Sequence, residues 1–87
     1  MAKFGAFAPI YSDATFEYFR SLSKRKQRRF IDLAHELASY PAVTPDFTSK
    51  DAEGRDICHL IIEGHLFDYW VDHGSKQVLI ISVESAD

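Results

Sequence analysis

From Ile57 to Val83 the apolar and polar positions fall into three strand-like runs separated by two short turn signals. The first signal, Glu63-Gly64, sits between Ile57-Cys58-His59-Leu60-Ile61-Ile62 and His65-Leu66-Phe67-Asp68-Tyr69-Trp70-Val71. A two-residue connection of this kind predicts a hairpin with a primed turn, because Gly64 accepts a positive φ at no steric cost. Counting outward from that turn sets the register. Ile62 opposes His65, Leu60 opposes Phe67 and Cys58 opposes Tyr69 on one face; Ile61 opposes Leu66, His59 opposes Asp68, Ile57 opposes Trp70 and Arg55 opposes Asp72 on the other. The first face is almost wholly apolar and predicts a cover of helices, whereas the second carries charge and is expected to meet solvent or a partner.

The third run, Gln77 to Val83, is rich in β-branched residues and predicts a well-buried, central strand after the turn Asp72-His73-Gly74-Ser75-Lys76. The length of that turn leaves open which of its side chains face the helices. Upstream, the pattern changes period. Ser12-Asp13 can cap a short helix with Phe16, Phe19 and Leu22 as its buried stripe, and Ser23 can cap a second that runs to about Ser39. In the second, Phe30, Leu33, Ala34 and Leu37 recur at helical spacing, and Tyr40-Pro41 ends it. So short a link at Leu22-Ser23 predicts an antiparallel helix pair. Phe4 to Tyr11, with Gly5 and Pro9 inside it, suits an irregular edge strand or extended arm. Ala42 to Gly54 is acidic and poor in hydrophobic residues, so a surface loop with room for a short extended piece is expected there. The predicted fold is α+β: an N-terminal extended segment, then an antiparallel helix hairpin packed on an antiparallel β-sheet that ends in a three-stranded meander, all in a single domain over residues 1–87.

Composition narrows the functional classes. With 87 residues and 46% hydrophobic content the chain supports one core. Its longest apolar run is too short to span a bilayer and its start does not read as a signal peptide, so a soluble, cytoplasmic protein without a membrane partner is expected. Cys58 is the only cysteine, which excludes an intrachain disulfide and a cysteine-rich metal site. The net charge of −3 is unevenly spread, because Lys24, Arg25, Lys26, Arg28 and Arg29 supply five of the ten basic residues. An overall nucleic-acid coat is thereby disfavoured, but a local anion-binding patch is not.

That basic run occupies the first turns of a helix, where the dipole already places partial positive charge, so the cations there cost stability. Lys24, Arg25, Arg28 and Arg29 are therefore candidate ligands for phosphates or for an acidic segment of a partner. The alternative is a solvated face, with Asp32 and Glu36 at ion-pairing distance along the helix. On the outward face of the hairpin, strand pairing assembles Arg55, His59, Asp68, Trp70 and Asp72. An imidazole held by a carboxylate is what a general base requires, so His59, oriented by Asp68, with Arg55 for a phosphate, forms a candidate catalytic set and Trp70 and Asp72 candidate binding residues. Cross-strand pairs of opposite charge also arise simply because they stabilise sheets. His59, His65 and His73 do not suggest a metal site, since the register puts His59 and His65 on opposite faces, and no motif for a cofactor is present.

Several words in the chain carry a likeness: Phe19-Arg20-Ser21-Leu22 before the basic helix, Leu37-Ala38-Ser39-Tyr40-Pro41 at its end, Gly54-Arg55 entering the sheet, and Gly64-His65-Leu66-Phe67-Asp68-Tyr69-Trp70-Val71-Asp72 in the hairpin. With the order of elements, they resemble the RelE/ParE superfamily of bacterial toxins from type II toxin–antitoxin systems. The resemblance implies a toxin, or a protein derived from one, held inactive by an antitoxin and acting on ribosome-bound mRNA as an endoribonuclease or on DNA gyrase, with a homodimer as a further assembly. The family's ribonucleases carry basic residues on the exposed sheet face; here Leu66 stands where an arginine is usual, Arg55 is the basic residue of the pattern that remains, and Glu84-Ser85-Ala86-Asp87 is acidic. Action through protein–protein contacts is thus the leading expectation. A divergent mRNA endonuclease using His59, Asp68 and Arg55 is the alternative, and a stand-alone module docking an acidic ligand on the basic helix is a third.

Overall fold

The computed structural model describes residues 7–86. Strand β1 (Ala8–Tyr11) leads into helices α1 (Asp13–Arg20) and α2 (Lys24–Ser39), followed by β2 (Phe47–Lys50), β3 (Asp56–Ile62), β4 (His65–Asp72) and β5 (Gln77–Ser85). The strands form one five-stranded sheet in the order β1-β5-β4-β3-β2. All neighbours are antiparallel except β1, which runs parallel to β5 at the edge. The expected α+β arrangement is present, and β5 lies inside the sheet with a partner on each side. Phe4 and Gly5 of the expected N-terminal extended segment lie outside the described residues. The expected loop from Ala42 to Gly54 contains β2, which pairs Phe47 with His59 and Ser49 with Ile57. All four residues of β2 are exposed, so the strand leaves no apolar alternation in the sequence.

The hairpin forms as its turn residues dictate. Glu63 and Gly64 have φ of 50° and 81°, the paired positive values of a primed turn, and five cross-strand pairs from Ile62–His65 to Cys58–Tyr69 follow the counted register. At the far end the expected Arg55–Asp72 pair does not form. Arg55 belongs to a tight turn in which an Asp51 carboxylate oxygen accepts from the Glu53 and Arg55 amides, each at 2.9 Å, while the other takes the Arg55 Nε at 2.7 Å. Asp72 is likewise drawn into its own turn, accepting from the amides of Gly74 and Ser75. Both carboxyls sit below their ordinary values because hydrogen bonds favour the charged form, chiefly from the Arg55 amide for Asp51 and from the Ser75 side chain and then its amide for Asp72.

Helix α2 buries Phe30, Leu33, Ala34, Leu37 and Ala38 against Phe67, Tyr69, Val78, Ile80 and Val83. Phe30 is fully buried and is the hub of the aromatic packing: its ring stacks on Phe67 at 5.5 Å and lies about 6 Å from Phe19, Tyr18 and His65. Burial pushes the Tyr69 phenol up to about 12, with the adjacent Cys58 adding to the rise. Of the buried stripe expected for α1, Phe19 and Leu22, with Tyr18, pack against the core, and Phe16 does not. Phe16 is 52% exposed and the buried residue is Thr15. Ser12 caps α1 by accepting from the Thr15 amide at 3.1 Å, and the Thr15 hydroxyl donates to the Ile80 carbonyl at 2.9 Å, so the helix is pinned with Thr15 inward and Phe16 about 100° round the axis.

Strand β5 carries a bulge. Asp68 pairs with Ser82 and Tyr69 with Ile80, so Ile81 is the extra residue. Its carbonyl accepts from the Ser12 hydroxyl at 2.5 Å. The bulge reverses the parity of the strand: Val78 and Ile80 point to the helices, yet beyond it Val83 does so and Ser82 faces outward beside Asp68.

Among the cations of the basic run, Arg29 is engaged. Its Nε donates to Glu63 Oε1 at 2.9 Å, its Nη2 grips the other oxygen, and Nη1 lies 3.5 Å from Glu36, so the pairing runs to Glu36 and the hairpin turn rather than to Asp32. Arg29 holds the Glu63 carboxyl below its ordinary value.

Phe30→Ala is expected to cost about 3–5 kcal/mol in urea unfolding, since the hub ring has neighbours on every side and its loss leaves a cavity; a cost under about 1 kcal/mol would contradict the packing described. For the Arg29–Glu63 pair the sign of the linkage is that of a depressed carboxylate: its contribution is complete above the unfolded-state value and is lost as the pH falls through the lower folded-state value. Glu63→Gln should therefore separate from the parent in urea midpoint at about pH 7 and converge with it only in acid, below the ordinary glutamate range. A gap that persists at the acid end would assign the effect to the turn instead.

Candidate functional site

The outward face of the sheet is built by alternation from β2 to β5. Phe47 and Ser49 come from β2, Ile57, His59 and Ile61 from β3, Leu66, Asp68, Trp70 and Asp72 from β4, and Gln77, Leu79, Ser82 and Glu84 from β5. Because His59 opposes Asp68 in the register, His59 Nδ1 and Asp68 Oδ1 meet at 2.5 Å, at side-chain exposures of 15% and 18%. The two neighbouring strands extend this pair. Ser82 Oγ donates to the second oxygen of Asp68 at 2.7 Å, and His59 Nε2 lies 2.8 Å from Ser49 Oγ. The Phe47 ring stacks on the imidazole at 4.4 Å with an interplanar angle of 11°. A hydrogen-bonded line Ser82–Asp68–His59–Ser49 thus crosses four strands.

The directions of the protons follow from valence. A carboxylate only accepts, so His59 donates from Nδ1 and Ser82 donates from its hydroxyl. With the proton on Nδ1, neutral His59 has a lone pair at Nε2, and the Ser49 hydroxyl is the donor to it. Ser49 itself is exposed. Sequence reasoning found His59 and Asp68 but missed Ser49, which lay in the expected loop, and Ser82, whose outward position depends on the bulge.

The remaining expected site residues are placed apart from this line. The Arg55 guanidinium sits 4.8 Å from the centre of the Trp70 ring and is also shared between Asp51 and Glu53. Asp72 caps its turn. Lys24, Arg25 and Arg28 are exposed on α2, on the helix side of the sheet, and make no ion pair among the described residues. Lys24 and Arg28 line one shallow groove with Phe19, Gln27, Ile31 and Asp32. His59 and His65 lie on opposite faces, as the register implies. His65 Nδ1 is 2.6 Å from the Tyr18 hydroxyl beneath α1, in a second polar cluster with Lys26, Arg29, Glu63 and Ser85 that sequence reasoning did not find. A mostly apolar groove between the end of α2 and β3 is lined by Leu37, Tyr40, Val43, Leu60 and Ile62, with Glu36 at its side. No helix among the described residues is long and apolar enough to cross a membrane.

No protein-family model matches the chain, and no curated relative matches it by sequence. Solved structures do match by shape. A chain of the toxin–antitoxin complex RelBE2 from Mycobacterium tuberculosis superposes with a TM-score of 0.77 at 15% identity, with all of both chains covered. The archaeal RelE–RelB complex from Pyrococcus horikoshii gives 0.71 at 16% identity, covering 93% of this chain and 96% of that one. The isolated RelE toxin of Escherichia coli gives 0.68 at 18% identity, covering 94% and 86%. The chain has the α+β fold of the RelE toxins.

Proposed function

We propose that this chain is a RelE-like toxin, or a protein derived from one, of a type II toxin–antitoxin module in the cytoplasm, that it acts through protein–protein contacts, and that an antitoxin neutralises it. The fold likeness extends over nearly the whole chain, and the matching structures include toxin–antitoxin complexes. The observation that carries the mode of action is the make-up of the outward face. Its strand positions hold Asp68, Asp72 and Glu84 with Phe47, Ile61, Leu66, Trp70 and Leu79, and Arg55, whose guanidinium lies over Trp70, is shared between Asp51 and Glu53. An acidic and apolar surface of that kind repels a polyphosphate backbone and suits a protein target, of which DNA gyrase is one. The apolar groove of Leu37, Tyr40, Val43, Leu60 and Ile62 offers the antitoxin a place to bury a hydrophobic segment.

A second reading rests on the close His59–Asp68 contact, which favours a divergent mRNA endonuclease with His59 as base, Asp68 as its orienter and Arg55 for the phosphate. Arg55 would have to leave Asp51 and Glu53 to serve it.

Induction of this chain alone in a bacterial host is expected to arrest growth without discrete cuts in translated messages, and co-expression with the product of the adjacent gene to relieve the arrest and yield a complex on capture. Leu60→Asp should weaken that capture by at least about tenfold. Failure to recover any partner would sink the toxin–antitoxin reading. Discrete message cuts that vanish in His59→Ala would replace protein contact with nuclease action.

A further inference from the structure

Beyond any role in a toxin–antitoxin pair, we propose that the outward face carries a serine acyl-transfer site, with Ser49 as nucleophile and His59 as its general base, acting on uncharged carboxylic esters. Asp68, Ser82 and Phe47 are positioning residues. The connectivity is what such chemistry requires: a hydroxyl on Nε2 of an imidazole, at 2.8 Å, and a carboxylate on Nδ1 of the same ring, at 2.5 Å. The carboxylate fixes the tautomer that leaves Nε2 free to take the serine proton. Ser82 holds the far oxygen of Asp68, and the Phe47 ring limits the tilt of the imidazole.

Two features separate this arrangement from an ordinary polar ladder between strands. The line ends on an exposed hydroxyl rather than on a buried or charged group, so the residue that would react is reachable from solvent. Ser49 also lies on β2, the outer strand of the sheet, where a substrate can approach without displacing a neighbouring strand. Asp68, Asp72 and Glu84 share this face, and Arg55, which lies over Trp70, is held by Asp51 and Glu53, so the charge selects against phosphodiesters and in favour of a neutral carbonyl substrate.

In the acylation step Ser49 Oγ bonds to the carbonyl carbon and its proton passes to His59 Nε2. The ester C–O bond then breaks, and the leaving alkoxide takes the proton from His59. Water attacks the acyl-serine by the same route in reverse, giving a carboxylic acid and regenerating Ser49.

The test uses the full-length chain and a fluorophosphonate probe, in which the serine oxygen displaces fluoride from phosphorus and His59 receives the proton. Peptide mass analysis is expected to place the label on Ser49 in preference to the other serines. Ser49→Ala should abolish labelling, and His59→Ala and His59→Gln should slow it by at least about 100-fold. Asp68→Asn should also slow it, with circular dichroism matching the parent, and Asp68→Glu should restore part of the rate, which a purely structural role would not produce. The parent should also hydrolyse 4-nitrophenyl acetate, and Ser49→Ala should not. Absence of labelling at Ser49 in the parent, or labelling indifferent to both His59 variants, overturns the proposal and leaves the line as a sheet-stabilising ladder. Capture of an antitoxin does not depend on Ser49, so either result leaves the reading of the preceding section to its own test.

Discussion

The bulge at Ile81 is the constraint on which the two faces of this sheet depend. Below it, β5 turns Val78 and Ile80 to the helices; above it, Val83 takes that side and Ser82 is released to the other. A regular strand would have placed Ser82 in the core, where its hydroxyl would need a partner, and would have left one oxygen of Asp68 without a donor. The distortion is held from the helix side. Ser12 and Thr15, at the start of α1, bond to the carbonyls of Ile81 and Ile80 that the bulge presents, so the cap of the helix and the irregularity of the strand stabilise one another. That mutual fit explains why α1 turns Thr15 rather than Phe16 inward. The same anchor sets the register of the helix against the sheet and brings Tyr18 and Phe19 onto Phe30.

What the sequence made legible follows the range of the interaction that decides each feature. The β3–β4 register was readable because one local choice, the positive φ of Glu63 and Gly64, fixes the five pairs from Ile62–His65 to Cys58–Tyr69. Helix α2 was readable because capping by Ser23 and the spacing of Phe30, Leu33 and Leu37 are local too. Strand β2 was hidden, since an edge strand with every side chain exposed has no alternation to show, and with it went Ser49. The bulge was also hidden because its cause lies some seventy residues away at Ser12, so no window on β5 could reveal which side Ser82 takes. Arg55 and Asp72 misled for a related reason. Each has an acceptor or donor set within a few residues, and a local turn wins over a cross-strand ion pair that orders two long exposed segments.

Where the cations go decides what kind of surface the protein offers. Arg29 is taken up by Glu63 and Glu36, and Arg55 by Asp51 and Glu53, so the two arginines best placed to reach the hairpin are already neutralised. Among the described residues, Lys24, Arg25, Lys26 and Arg28 make no ion pair and stand at the start of α2 on the opposite side of the sheet from His59 and Asp68, while Lys76, also without one, lies in the β4–β5 turn. A site that cleaves a phosphodiester needs its base and its phosphate-binding charge within reach of the same group. Here the sheet itself stands between His59 and the basic cluster of α2, and Arg55 is held by Asp51 and Glu53.

The separation of charge from base has a positive side. Carboxylates on the outward face raise the energy of an approaching anion, while Asp68 holds the His59 ring at hydrogen-bond distance with Nε2 turned to Ser49. The arrangement that disfavours RNA is therefore the one that favours proton abstraction from Ser49 toward a neutral electrophile. The apolar residues around the line, Phe47, Ile57 and Leu66, add no competing donors to it. Apolar surface, paired carboxylate and exposed hydroxyl are thus consequences of one strand pattern, and the bulge at Ile81 completes it by giving Asp68 its second donor.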